Sequence, residues 1–182
     1  MASAGPGAAE PQRFTVETAK SRVGFDAFHP LGDFSVSSET PTGEFELDIA
    51  DLKQPIKGAL SLPAETLRTG RKGRDKDIRS ALDAEHHPEI RYRIDKVESS
   101  FPSLAENNDV LLTVHGVLSV RGVERSVTFR GRMRLRPGGG LWVRGESWLK
   151  PRDFGVPLLR SWLISMKDGV LATFDLVLSK AQ

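Results

Sequence analysis

The feature that most constrains this chain is a period-two alternation of apolar and polar residues. From residue 127 to residue 136, apolar or small side chains occupy every second position and alternate with Thr128 and four arginines. Successive side chains of a β-strand point to opposite faces, so this alternation predicts strands with one buried and one solvated face. The same alternation marks residues 43–49, 90–95 and 170–178, and weaker strand candidates lie at residues 14–17, 22–28, 56–62, 110–120 and 141–150.

Turn-forming residues separate the predicted strands. They lie at residues 30–32, 39–41, 107–109 and 137–140, and the last of these, Pro-Gly-Gly-Gly, is typical of a hairpin tip. The spacing predicts about eight to ten strands and favours an all-β sandwich or barrel. One segment differs, because Ile78, Ala81 and Leu82 follow helical spacing. We expect a short helix over residues 74–84 that ends at the His-His-Pro sequence of residues 86–88.

The composition excludes several classes of function. The chain has no Cys, so disulfides, thiolate nucleophiles and Cys-ligated metals are ruled out. A net charge of +2 does not require an anionic partner. No apolar run approaches the roughly 18 residues of a membrane-spanning helix. We therefore expect no nucleic-acid partner and no integral membrane association, and we leave a homodimer open.

The start of the chain differs in composition from the rest. Residues 1–13 are predicted to form a disordered arm, and residues 14–182 a single domain. The arm lacks the basic front and the apolar run of a secretory signal. The sequence as given therefore favours a cytoplasmic location, whereas removal of a signal peptide would place the protein in the periplasm or outside the cell.

The predicted strands leave open what fills the interior. A closed barrel of about eight strands either packs its interior with side chains or holds one small ligand. The inward-facing residues mix small side chains, such as Gly131 and Ala172, with large ones, such as Phe129, Met133 and Phe174. Such a mixture suits a dense core as well as an adaptable chamber.

Three sequence blocks resemble the YceI family of lipocalin-like isoprenoid-binding proteins. The first, residues 67–90, has Thr-Gly at 69–70, Arg-Asp at 74–75 and His-Pro at 87–88. The second, residues 115–129, contains the pattern Gly-x-Leu-Ser-x-Arg-Gly-Val from residue 116 to 123. The third is Arg-Asp-Phe-Gly-Val at residues 152–156. The blocks follow the family's order and spacing, and the resemblance extends over roughly residues 14–180.

The resemblance implies a lipocalin-like antiparallel β-barrel with one short helix. Its cavity would hold a long-chain amphiphile, such as a polyisoprenoid or an isoprenoid quinone, for transport, storage or sequestration. The protein would then be no enzyme and would need no cofactor or metal. Within this barrel, alternation supplies the candidate ligand-contacting residues: Val23, Phe25, Phe45, Leu47, Ile90, Tyr92, Leu112, Val114, Phe129, Met133, Phe154 and Phe174.

An alternative function is catalysis on a small amphiphile inside the same barrel. It requires inward polar groups with perturbed pKa values. Tyr92, His115 and Asp175 are the candidates, although Asp175 falls on the outward parity of its strand. No Gly-x-Ser-x-Gly motif and no pair of His residues at metal-binding spacing accompanies them.

A second alternative is an anion-binding surface module. Four residues, here called the arginine row, share the outward face of one strand: Arg130, Arg132, Arg134 and Arg136. We expect the acidic residues Glu44, Glu46 and Asp48 to lie beside this row and neutralise it.

A basic cluster also surrounds the predicted helix start, where it would either hold an anionic head group or remain solvated: Arg68, Arg71, Lys72, Arg74 and Arg79. Trp148 and Trp162 are expected to plug a barrel end or to line its mouth.

Overall fold

The computed structural model describes residues 10–28, 32–157 and 169–181. These residues form ten strands and one α-helix, with 3₁₀ turns at Thr18–Lys20, Ala64–Thr66 and Pro151–Phe154. The strands are β1 Gln12–Val16, β2 Arg22–Ala27, β3 Phe34–Ser38, β4 Thr42–Leu47, β5 Lys57–Pro63, β6 Glu89–Ser99, β7 Asp109–Val120, β8 Val123–Leu135, β9 Leu141–Leu149 and β10 Val170–Lys180. The helix, α1, is Lys72–Ala81.

The strands close into an eight-stranded antiparallel barrel. Their order is β1-β4-β5-β6-β7-β8-β9-β10, and β1 pairs with β10 to complete the ring. After the turn at Thr18–Lys20, β2 pairs with the same edge of β10 that β1 occupies. β3 then pairs with the other edge of β2. β1 with β2, and β3 with β4, are therefore two interrupted strands. This is why ten strand segments form the predicted barrel of about eight strands.

The two faces of the strands alternate as predicted. On β8, Phe129 and Met133 are buried inside the barrel, whereas Arg130 between them is exposed. On β6 the register shifts at Asp95, which forms a β-bulge. Because of this extra residue, the inward position after Ile94 is Val97, and both of these side chains line the interior.

Two hairpin tips join the longest strands. β8 and β9 meet at residues 136–140, where Gly138 and Gly139 have φ of 86° and 85°, as the Pro-Gly-Gly-Gly sequence predicts. The tip between β7 and β8 was not predicted. Its two residues, Arg121 and Gly122, have φ of 53° and 72°, the signs typical of a type I′ turn. An arginine at positive φ is uncommon, so the sequence carries little signal for this turn.

One strand and two element boundaries differ from the sequence prediction. β3 was not predicted, because only two of its five residues, Phe34 and Val36, are apolar. α1 ends at Ala81 instead of residue 84, since Asp83 at a φ of 52° interrupts the helix before the His-His-Pro sequence. β1 begins at Gln12, inside the predicted arm. Residues 1–9 lie outside the described residues, so the arm itself stays a prediction.

The loop before α1 pairs with the edge of β3 and connects it to the helix. Ser37 of β3 exchanges two backbone hydrogen bonds, of 3.0 and 2.9 Å, with Arg68 of that loop. Asp75 of α1 is 5% exposed and accepts hydrogen bonds of 2.7 Å from both the backbone N and the Oγ1 of Thr69. These bonds hold α1 against one end of the barrel, where Ile78 is buried. We call this end the helical end.

The opposite end is closed by two loops, residues 48–56 and 100–108. Leu52 N donates to Pro102 O at 2.7 Å, and Leu104 N donates to Ile49 O at 2.8 Å. Leu52 and Leu104 are both buried in the main hydrophobic cluster. Side chains therefore plug this end, here called the closed end.

Candidate ligand cavity

The barrel encloses a cavity of about 240 Å³. Several side chains that point inward are only partly buried, because they face this space instead of other side chains. Leu60, Ile90, Ala172 and Phe174 are examples on three strands. The interior is therefore hollow, which decides between the two alternatives that the strand pattern leaves open.

The wall of the cavity is apolar along its whole length. Among the lining residues that the structure describes, only Tyr92 and Thr173 have a polar group in the side chain. The wall includes Leu47 and Leu141 near the closed end and Leu67 near the helical end. Burying a hydrocarbon tail in such a space gains about 0.8 kcal/mol for each methylene removed from water.

The candidate residues taken from alternation all border this cavity. They are Val23, Phe25, Phe45, Leu47, Ile90, Tyr92, Leu112, Val114, Phe129, Met133, Phe154 and Phe174. Their contact with a ligand stays a prediction. Leu67, Ile78 and Leu82 line the helical end as well, and strand alternation does not predict them. The apolar stripe of the predicted helix was the available signal, but its packing partner could not be inferred from the helix alone.

Tyr92 projects from β6 into the cavity, and its hydroxyl proton faces two backbone carbonyl oxygens. The hydroxyl lies 3.0 Å from the carbonyl oxygen of Val114 and 2.9 Å from that of Val127, so its single proton is donated within the barrel wall. Burial raises the pKa of Tyr92 well above the ordinary value for a phenol. The group therefore remains neutral and is not available as a general base.

The three sequence blocks meet at the helical end. Arg121 of the β7–β8 turn donates through Nη1 to the carbonyl oxygen of Gly155 in the third block, at 2.5 Å. The next turn residue, Gly122, packs on the imidazole of His87 from the first block, since a Cβ on Gly122 would lie 2.7 Å from His87 Cε1. The motifs thus form one structural unit around the end where α1 covers the cavity.

Sequence comparison assigns the fold to a family. A model of the YceI-like domain matches residues 14–178, which is nearly the whole chain. The chain belongs to the YceI-like family. No curated protein shows significant similarity to the sequence.

Solved structures share the YceI-like barrel at low sequence identity. Burkholderia cenocepacia BcnA is 17% identical with a TM-score of 0.73, and the match covers 89% of this chain and 98% of that protein. A polyisoprenoid binding domain from Saccharophagus degradans, implicated in plant cell wall breakdown, is 15% identical with a TM-score of 0.72, covering 92% and 98%. The Campylobacter jejuni YCEI protein is 15% identical with a TM-score of 0.66, covering 81% and 84%. At these identities the likeness establishes the fold.

Two polar groups considered for catalysis lie outside the cavity of this YceI-like barrel. His115 contacts Thr128 Oγ1 through Nδ1 at 3.0 Å, on the outer face of β7 and β8. The expectation that it points inward is therefore wrong, because His115 has the opposite parity to the lining residue Val114. Asp175 is outward, as its parity predicts, and accepts a 2.7 Å hydrogen bond from Trp142 Nε1.

The basic cluster around the start of α1 lies beside the cavity without lining it. Arg74 stacks on the ring of Phe34 at 4.2 Å, and Arg68 donates to the backbone oxygen of Leu67 at 2.9 Å. Of the α1 residues, only Ile78 and Ala81 line the cavity. Arg74 therefore contributes to the attachment of α1 to β3, and the contact of the cluster with an anionic head group stays a prediction.

The arginine row is neutralised by neighbours other than those expected. Asp109 accepts from Arg134 Nε at 2.6 Å and lies 3.6 Å from Arg132, while Arg136 contacts Glu17 at 3.3 Å. The hydrogen bond from Arg134 lowers the pKa of Asp109. Most of the row is therefore paired on the outer wall.

The expectation that Glu44, Glu46 and Asp48 neutralise the row is wrong. The first two belong to β4 and Asp48 follows it, and three strands separate β4 from β8. The sequence shows which residues face outward, but strand neighbours are decided by topology. An aromatic side chain also accompanies the row, since Arg132 lies 5.7 Å from the ring centre of Trp142.

The three histidines that the structure describes belong to no group of potential metal ligands. His86 Nδ1 lies 2.7 Å from an Asp83 carboxylate oxygen, and His87 Nε2 lies 3.8 Å from the other oxygen. The hydrogen bond to Asp83 raises the pKa of His86. Within residues 10–28, 32–157 and 169–181, no group of three His, Asp or Glu side chains is placed to hold a metal ion. His29 lies outside the described residues.

One exposed tryptophan lies on the outside of the barrel. Trp148 is 64% exposed and stacks against Phe28 with ring centres 5.5 Å apart. The expectation that Trp148 plugs a barrel end or lines its mouth is therefore wrong. Trp162 lies outside the described residues. No helix in the described segments has the length and apolar character needed to cross a membrane.

Proposed function

We propose that this YceI-like barrel binds the hydrocarbon tail of a long-chain amphiphile, with a polyisoprenoid or an isoprenoid quinone as the ligand class. The hollow interior, whose wall is apolar from the closed end to the helical end, is the observation that carries the proposal. The structural likeness to a polyisoprenoid binding domain supports the choice of ligand class. Carriage, storage or sequestration of the lipid is the role that such binding serves.

Binding without chemical conversion fits the groups at the wall. Tyr92 has a high pKa and donates its proton to backbone carbonyls, so it offers neither a base nor a free donor to a ligand. His115 and Asp175 are on the outer face. The ligand would be held by apolar contact alone, and the gain from buried methylenes would offset the free-energy cost of association, about 4–15 kcal/mol.

A variant that fills the cavity tests this proposal. Ala172 points into the cavity from β10 and is only partly buried, so Ala172→Trp places a large side chain in space that a tail would occupy. The matched control is Leu111→Trp, because Leu111 is 61% exposed on the outer face of β7. Native mass spectrometry after incubation with geranylgeraniol would count the bound lipid.

We expect wild type and Leu111→Trp to take up one geranylgeraniol per chain and Ala172→Trp to take up none. Circular dichroism would verify that both variants are folded. Failure of the wild-type protein to take up the lipid, in titration as well as by extraction of lipid carried through purification, would refute the proposal. Equal uptake by Ala172→Trp would place the lipid elsewhere.

A further inference from the structure

Three aromatic rings, here called the belt, lie along one side of the cavity wall. Tyr92 of β6 meets Phe129 of β8 edge-on, with ring centres 5.0 Å apart and planes at 80°. Phe129 meets Phe174 of β10 at 5.4 Å and 61°. Edge-to-face geometry at these distances is favourable and fixes the rings relative to one another. The belt therefore occupies one side of the barrel over five neighbouring strands, β6 to β10.

Two of the rings lie over glycine residues of the neighbouring strand. A Cβ on Gly145 of β9 would lie 2.5 Å from Phe174 Cζ and 2.9 Å from Cε1, far inside van der Waals contact. A Cβ on Gly116 would lie 2.7 Å from Tyr92 Cζ. Because neither glycine has a side chain, the rings lie against the wall instead of projecting across the cavity.

The two ring-and-glycine pairs differ in their freedom to move. Tyr92 is tied to the wall through its hydroxyl, and a Cβ on Gly116 would also collide with the backbone oxygen of Arg93. For Gly145 the nearest backbone atom, the oxygen of Arg130, would be 3.1 Å away, so the main obstacle is the far end of the Phe174 ring. Phe174 is therefore the ring whose position depends on a single replaceable glycine.

A ligand tail that spans the cavity must pass this belt. Leu47 and Leu141 line the cavity on the closed side of the belt, and Ile78 and Leu82 line it on the helical side. The free width at the belt therefore limits the cross-section of the tail. A methyl-branched chain is wider than a linear chain of the same length, and packed interiors discriminate such differences.

We propose that Gly145 and Phe174 form the specificity-determining pair that makes the cavity wide enough for a methyl-branched tail. This inference rests on the proposed function. In Gly145→Ala the ring must move by about 1 Å to restore ordinary contact of about 3.5 Å. The direction open to it is the cavity, so the belt narrows while the rest of the wall is unchanged.

Paired alcohols of equal chain length test the selectivity. Hexadecanol is linear, and phytanol has the same backbone chain with methyl branches. Binding of each alcohol to the wild-type protein and to the variants would be measured by native mass spectrometry and by displacement of a fluorescent fatty-acid analogue. We expect Gly145→Ala to weaken phytanol binding at least about tenfold, the effect of a methylene-sized misfit, and hexadecanol binding by less than about twofold. Gly73→Ala is the matched control, because a Cβ on Gly73 of α1 meets no atom within 4 Å.

Two further variants separate selectivity from misfolding. Phe174→Leu in the Gly145→Ala background removes the displaced ring and is expected to restore phytanol binding. Phe174→Trp enlarges the ring without changing the glycine and is expected to act like Gly145→Ala. Equal weakening of both alcohols, or unchanged phytanol binding in Gly145→Ala and Phe174→Trp, would overturn the inference. A wild-type protein that binds neither alcohol would instead contradict the proposed function.

Discussion

At the scale of single residues, Asp75 is a buried carboxylate whose task is structural. Burial alone would raise its pKa, but the two hydrogen bonds from Thr69 and the charges of Arg68 and Arg79 outweigh burial and lower it. The carboxylate is therefore charged at neutral pH and holds the Thr69 loop on α1. Asp75 belongs to the first of the three family blocks, and its role there is to attach the helix that covers the cavity.

Removal of this carboxylate should loosen that attachment. Asp75→Ala leaves the backbone N and the hydroxyl of Thr69 without their acceptor, so we expect the free energy of unfolding to fall by about 2–3 kcal/mol. Asp75→Asn keeps an acceptor oxygen and should lose about 1 kcal/mol. Urea denaturation would measure both, with the exposed neighbour Lys76→Ala as control. Equal losses in the Ala and Asn variants would argue against the hydrogen bonds as the cause.

At the scale of an element, the β8–β9 hairpin depends on the backbone conformation of its tip. A Cβ on Gly138 would meet no atom within 4 Å, yet its φ of 86° disfavours any residue with a side chain. Gly138→Ala should therefore lower the free energy of unfolding by about 1–2 kcal/mol. Gly73→Ala, equally free of contacts but helical, should raise it by up to about 1 kcal/mol. Guanidinium denaturation of the two variants would give opposite signs, and changes of the same sign would contradict this explanation.

At the scale of the whole molecule, a ligand that fills the hollow interior must stabilise the folded barrel. At a free concentration one hundred times Kd, geranylgeraniol should add about 2.7 kcal/mol to the free energy of unfolding. For a chain of 182 residues this corresponds to a rise in Tm of about 5–10 °C. Differential scanning calorimetry would measure the shift, and the cavity-filled variant Ala172→Trp should show none. An unchanged Tm of wild type despite bound lipid would mean that the lipid does not bind the folded state in preference to the unfolded chain, which would contradict binding inside the barrel.

Much of the fold followed from local sequence patterns. The alternation in β8 and β10 reports which side chains face inward, because a strand's period is fixed by backbone geometry. The Pro-Gly-Gly-Gly tip was predictable for the same local reason. β3 and the Arg121-Gly122 turn were missed, since the first has only two apolar residues and the second has an arginine where glycine or asparagine is usual.

The sequence by itself determined most of the inward-facing residues of the strands and, through its motifs, membership of the YceI-like family. Only the tertiary structure decided that this inward set surrounds a cavity, that α1 covers one end of it, and that Asp109 pairs with the arginine row. Alternation specifies the side to which a residue points, whereas hollowness depends on the barrel radius and on rings that lie over glycines of another strand. Those are relations between residues far apart in the chain, and no local pattern encodes them.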